Sequence, residues 1–258
     1  PYTKVLPVAC ILTIAAAGSE GSAGSVISNR EVGIKEGIRT NDLLRPVLSI
    51  LNPELTMTLP AYQTACGVTD MFIHLTERYF TNTPDVSLTD EMIEGLMRTI
   101  LKYGIVCVKE PDNYNARAQI MWAGMLAHNN ICGVDREQDW ASHHIQHRIG
   151  AKYDSSHGAG LATIFPAWAQ YVYKHNVPRF VRFATKVMGV DNDVFHPEEV
   201  ALEGIRRIKA YFASLGMPTT LSELGVKDED IKELANMYDG KFVELTPADI
   251  EKIYELAR

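Results

Sequence analysis

GVTDMFIHLTERY (residues 67–79) contains Asp70 and His74, the pair from which both the fold and the candidate site of this chain are read. Residues four apart on a helix share one face, one above the other. The flanking sequence, 60–80, has few breakers and predicts a helix. A second stretch, DWASHHIQHRIGAKYDSSHGAG (139–160), holds His143, His144, His147 and His157, four of the eight histidines of the chain. His143 and His147 repeat the i,i+4 relation on a second predicted helix, begun after Gly133. His157 follows the polar break Asp154-Ser155-Ser156 and stands at the start of a third predicted helix over 160–174. Two helix faces and one helix start can converge on a single ion. One carboxylate and three imidazoles (Asp70, His74, His143 and His157) form a hard-to-borderline donor set that suits Zn(II) or Fe(II).

Taken singly, these signals are weak. An Asp-x3-His pair is common on helices without a metal, and a histidine at a helix start is usually a cap or a surface residue. The joint pattern is far more specific than its parts. His144 points about 100° away from His143 on an ideal helix, so it reads as a packing or surface residue. His128, His175 and His196 are isolated and read as structural. Met121, Trp122 and Met125 read as core.

The whole chain bounds the possibilities. Its 258 residues make one large domain or two modest ones. An apolar content of 46% is ordinary for a globular protein. A net charge of −7, a pI near 5.6 and the lack of a basic run argue against a nucleic-acid partner. The longest apolar run, 5–17, contains Pro7 and Thr13 and is too short to span a bilayer. Only PYTK precedes it, so it does not read as a signal peptide. The four cysteines, Cys10, Cys66, Cys107 and Cys132, are scattered in apolar contexts with no CxxC pair, which points to free thiols in a reducing compartment. The chain opens at Pro1 and runs almost at once into strand-like sequence, from which we expect further sequence upstream.

Residues 1–60 differ from the rest. Segments 4–14 and 25–29 are short β-rich runs, and 45–51 is another apolar run ended by Asn52-Pro53. Between the first two lies a small-residue loop, 15–24, where a backbone could approach a phosphate or ribose. A surface hairpin turn is the simpler explanation of its composition. From residue 61 onward the chain reads as about eight helices. Cap signals precede several of them: Thr89 before Asp90-Glu91, Thr246 before Pro247, and Ser222 before Glu223. Further helices are expected over 113–128, 178–188, 197–215, 228–238 and 247–257. The predicted organisation is therefore the C-terminal part of an α/β dinucleotide-binding domain (1–60) followed by a helical metal-binding catalytic domain (61–258), mainly α.

Asp70-x3-His74, followed by His143-x3-His147-x9-His157-Gly158, resembles the iron-containing alcohol dehydrogenases. The flanking words Tyr114-Asn115-Ala116-Arg117, Met121-Trp122-Ala123-Gly124, Asp139-Trp140-Ala141-Ser142 and Phe165-Pro166-Ala167-Trp168 look like its butanol dehydrogenase branch. The resemblance covers essentially the whole chain. It implies a dehydroquinate synthase-like fold, with a remnant of the nucleotide-binding domain ahead of the helical domain. It also implies hydride transfer between NAD(H) or NADP(H) and a primary alcohol or aldehyde at Fe(II) or Zn(II), a homodimer, and a cytoplasmic location without nucleic-acid or membrane partners.

By the same resemblance Asp70, His74, His143 and His157 match the metal ligands. His147 matches a histidine beside the nicotinamide and substrate, a catalytic proton relay or an orienting group. Thr13, Lys35, the loop from Gly18 to Ser22, and Leu59 match cofactor-contacting positions. Ala17 stands where the family usually has a threonine, and Ser22 where this branch usually has an asparagine, so both shorten a polar contact to the cofactor. The competing possibilities are a non-catalytic metal-binding helical fragment and a glycerol dehydrogenase-like relative. A metal-dependent phosphohydrolase is disfavoured, because no His-Asp dipeptide occurs in the chain.

Overall fold

The computed structural model describes residues 3–29, 31, 34–39 and 42–258. Pro1, on which the expectation of upstream sequence rests, lies outside them. Four short strands come first: β1 (Ala9–Ile11), β2 (Gly24–Asn29), β3 (Ile34–Arg39) and β4 (Leu48–Ile50). β1 and β4 pair in parallel, with Ala9 opposite Leu48 and Ile11 opposite Ile50. β2 and β3 form an antiparallel hairpin, with Gly24 opposite Arg39. Of the β-rich run over 4–14, three residues form a strand, where β4 runs beside them. β3 was not expected. Its sequence, IKEGIR, mixes charge and glycine, and it is extended because β2 pairs with it.

The remaining chain is helical: α1 (Ala61–Tyr79), α2 (Ser87–Lys109), α3 (Tyr114–His128), α4 (Ala141–Tyr153), α5 (His157–Val172), α6 (Val177–Lys186), α7 (Pro197–Ser214), α8 (Ile231–Leu234) and α9 (Pro247–Leu256). Among the described residues no helix is long and apolar enough to cross a membrane.

α1 is the hub. From Thr64 to Tyr79 nearly every residue is buried, polar ones included, because α2, α3 and α5 all pack around it. A helix covered on all sides has no solvent face on which to place Asp70, Glu77 and Arg78, so each needs an interior partner. Below the site an aromatic cluster closes the core. Phe80 stacks on Phe180 with centroids 4.4 Å apart and meets Trp168 edge-on at 5.5 Å.

Several local expectations need correction. Thr246 caps α9 in a capping box with Asp249, as anticipated. Thr89 is not a cap: it lies inside the first turn of α2 and donates to the Val86 carbonyl. No helix follows Ser222, which sits in a turn. The helix expected over 228–238 amounts to a 3-10 turn and the four residues of α8. Ile231 and Leu234 anchor it in the core, and a bridge between Asp239 and Leu245 then takes the chain elsewhere. Trp122 is 57% exposed rather than core, whereas Met121 is buried. All four cysteines are free, and three of them are buried.

The segment before α4 is pinned rather than helical. Arg136, buried, donates to the Arg78 carbonyl at 2.9 Å and to Asp90 Oδ1 at 2.9 Å. Arg179 donates to the same carboxylate, at 2.6 Å to Oδ1. Asp90 thus holds two guanidinium groups and sets where α4 begins.

Candidate metal centre

Three helices bring the donors together. Asp70 and His74 project from one face of α1, His143 from the first turn of α4, and His157 from the first residue of α5. α4 ends at Asp154, in the left-handed region at φ 49°, and three residues later α5 starts at His157. Gly158 makes the next step possible. A Cβ there would sit 2.3 Å from the Cys66 carbonyl oxygen, so only glycine lets the start of α5 press against α1.

The result is a convergence on one atom. Asp70 Oδ1 lies 3.5 Å from His74 Nε2, 3.6 Å from His143 Nε2 and 3.5 Å from His157 Nε2. Two donors each about 2.1 Å from one ion at the tetrahedral angle stand about 3.4 Å apart, so these spacings fit a shared cation. Among the described residues, Asp70 Oδ1 and His143 Nε2 are buried without a hydrogen-bond partner. Native interiors seldom tolerate such groups unless an ion or water completes them.

The opposite ring nitrogens are tied down. Glu77 Oε1 accepts from His143 Nδ1 at 2.8 Å and from the His143 backbone N–H at 3.0 Å. Gln146 Oε1 accepts from His157 Nδ1 at 2.5 Å. A carboxylate or amide oxygen on Nδ1 holds the hydrogen there and leaves Nε2 bare for a cation. Arg78 donates to the His74 carbonyl oxygen and lies over the Trp140 ring, 4.9 Å from its centroid.

The charges of these groups depend strongly on one another. Burial is the largest influence on Asp70 and pushes its carboxyl up, but His157, His143 and His128 together pull it down to about 2. Burial also lowers His143, yet the carboxylates of Asp70 and Glu77 beside it win and raise it to about 9. Burial first, then the neighbouring imidazoles, lowers His157 to about 4 against the pull of Asp70. His74 is driven well below its ordinary value by burial and then by His128 and His143.

The donors do not form one compact set of four. Among the described residues they fall into two groups that share Asp70. One is Asp70, His143 and His157; the other is Asp70, His74 and His128, and in each the ligand atoms lie within 4.8 Å of one another. His128, isolated in the sequence, stands beside these donors. It is buried in the site, with its ring centroid 4.0 Å from that of His74. No local spacing marks it, because it comes from α3. Glu77 and Gln146 were also missed, although each lies three residues beyond a donor on the same helix, where a spacing rule could have found them.

A cavity of about 560 Å³ opens beside these donors. Ala17, Ser22, Lys35 and His147 line it along with the donor histidines and Asp70. His147 is buried, with Nε2 unpaired and its ring 5.4 Å from that of His157. It belongs to neither donor group. Burial, followed by His157, His143 and Lys35, lowers it to about 3, which favours the neutral ring. Burial also lowers Lys35, partly offset by Asp70 and Asp154. Three residues expected to contact the cofactor are not in the wall of this cavity. Thr13 is exposed, Leu59 is half-buried in the turn before α1, and neither belongs to the cavity wall. Gly18 lies behind the wall, at φ 66°, where a Cβ would collide with His128 Cβ at 2.0 Å. His144 is half-exposed and binds Asp239 at 2.7 Å.

Comparison with known proteins agrees with this geometry. Residues 64–257 match the C-terminal region of the Fe-containing alcohol dehydrogenase family. The chain is 37% identical to NADH-dependent butanol dehydrogenase B of Clostridium acetobutylicum, over 98% of this chain and 66% of that protein. It is 33% identical to the NADPH-dependent aldehyde reductase YqhD of Escherichia coli, over 99% of this chain and 67% of the relative. The crystal structure of NADH-dependent butanol dehydrogenase A from Thermotoga maritima superposes with a TM-score of 0.92 at 35% identity, covering 99% of this chain and 67% of that one. The chain thus spans about two thirds of the length of these relatives. With the match extending over most of its length and the donor histidines converging on Asp70, this chain belongs to the Fe-containing alcohol dehydrogenase family.

Proposed function

We propose that the chain forms the metal-binding and substrate-binding part of an NAD(P)-dependent alcohol dehydrogenase or aldehyde reductase acting on small primary alcohols or aldehydes. The observation that carries this is the approach of three imidazole Nε2 atoms to one buried carboxylate oxygen, Asp70 Oδ1, at 3.5–3.6 Å. Asp70, His74, His143 and His157 hold a divalent ion, Fe(II) or Zn(II), and their mixed N/O chemistry suits either. When bound, such an ion supplies Lewis acidity toward the oxygen of an alcohol or aldehyde.

Every other role belongs to the protein. Glu77 and Gln146 keep His143 and His157 in the tautomer that presents Nε2. His147, neutral and on the cavity wall, orients the substrate hydroxyl through its bare Nε2. Ala17, Ser22 and Lys35 form the wall toward the dinucleotide, and Gly18 supports that wall from behind. Residues 1–60 would then complete the nucleotide-binding side, and residues 61–258 the metal-binding side.

Elemental analysis of the chain and of its His157→Ala variant tests the centre. About one Fe or Zn per chain, lost in the variant, is expected. A folded chain that takes up neither metal would refute the assignment. Activity is tested on the full-length gene product, as aldehyde-dependent oxidation of NADH or NADPH. His147→Ala should keep the metal and lower turnover, and loss of metal in that variant would overturn the role given to His147.

A further inference from the structure

We propose that His128 is an additional donor to the single metal ion held at Asp70, entering its ligand shell beside His74. This rests on the metal centre proposed above and extends it by one ligand.

The tautomer of His128 is settled by its neighbour. Nδ1 lies 2.7 Å from the Gly124 carbonyl oxygen. A carbonyl oxygen only accepts, so Nδ1 carries the hydrogen and Nε2 of the neutral ring is a bare lone pair. That Nε2 is buried and has no hydrogen-bond partner among the described residues. A structural histidine in a helical core ordinarily satisfies both nitrogens. Here the unsatisfied one belongs to a group of donor atoms, with Asp70 and His74, lying within 4.8 Å of one another. The second group meets the same distance test as the first.

Charge decides how the two donor groups are used. Two divalent ions sharing the single carboxylate of Asp70, among neutral imidazoles, would leave most of their charge uncompensated in a buried pocket. One ion is therefore held, and His128 enters its ligand shell from the α3 side, together with His74. The same ring touches the small-residue loop, since Gly18 has no room for a side chain against His128 Cβ. The position of that loop and the occupancy of the metal seat are thereby joined through one side chain.

Co(II) is the probe, titrated into the chain and into His128→Asn and His128→Leu, each checked for folding by circular dichroism. Asparagine places an amide N–H close to where Nδ1 stands, so it keeps the bond to Gly124 and removes only Nε2. The parent should bind one Co(II) per chain with the weak visible absorption of a five- or six-coordinate ion. Both variants should still bind one, about 10-fold or more weakly, with the stronger absorption of a tetrahedral site. Parent-like affinity and spectrum in His128→Asn would overturn the role of His128 while leaving the metal centre in place. So would a change confined to His128→Leu, which also loses the Gly124 bond. A folded parent that binds no Co(II) would overturn both proposals.

Discussion

Glu77 Oε1 grips His143 twice, at the ring Nδ1 (2.8 Å) and at the backbone N–H (3.0 Å). The carboxylate thus joins α1 to the first turn of α4, satisfies a free helix N–H, and orients a donor in one stroke. Glu77→Ala should weaken Zn(II) binding by roughly 10–100-fold. Glu77→Gln, which keeps an acceptor oxygen, should lose much less. Competition against a chromophoric chelator measures both, and equal losses would show that charge rather than orientation matters.

Gly158 should be irreplaceable. In Gly158→Ala the new methyl meets the Cys66 backbone at 2.3 Å, which no rotamer change relieves. α5 must shift off α1, at a cost of about 1–3 kcal/mol, and His157 must move away from Asp70. The variant should melt at a lower temperature and lose tight metal binding. Unchanged metal affinity would mean that α5 relaxes without displacing its first residue.

Asp90 is central to stability. It accepts from Arg136 and Arg179, and Arg136 is fully buried at its side chain. Asp90→Ala would strand two guanidinium groups and should destabilise the fold by about 3–5 kcal/mol. Urea unfolding reads this directly. A loss below about 1 kcal/mol would place the pair with ordinary surface bridges.

Asp139 should give stability an acid-favouring slope. Burial, reinforced by Glu77, raises its carboxyl to about 7, although the Lys241 and Phe242 backbone N–H groups oppose this. Between its unfolded value near 3.8 and about 7, the folded state holds the proton that the unfolded state has released. Stability therefore falls as pH rises through that window, by an amount on the order of 4 kcal/mol. Asp139→Asn keeps an acceptor for the two N–H groups and should flatten the slope. The comparison is of urea midpoints at pH 5 and pH 8 in parent and variant.

Local periodicity carried most of the secondary structure and part of the site. Asp70 and His74 share a face because a helix repeats every 3.6 residues, and 60–80 predicts α1 to within a residue at each end. The turn 154–156 and the histidine after it were equally visible, since Asp154 and its neighbours interrupt a helical pattern. Where local signals competed with packing, they failed. The helix expected over 228–238 gives way after Leu234 because the Asp239–Leu245 bridge draws the chain off.

The helical class and the i,i+4 donor pair follow from the order of residues alone, because both are set within one or two turns of backbone. The approach of His74, His143 and His157 to a single oxygen does not. It depends on how closely α5 can press against α1, a contact Gly158 permits at the Cys66 carbonyl. The place of His128 is decided further still from its own sequence neighbourhood. Nothing in the residues around it points to the site, and it stands beside Asp70 and His74 because α3 packs against α1, which leaves its Nε2 buried without a hydrogen-bond partner among the described residues.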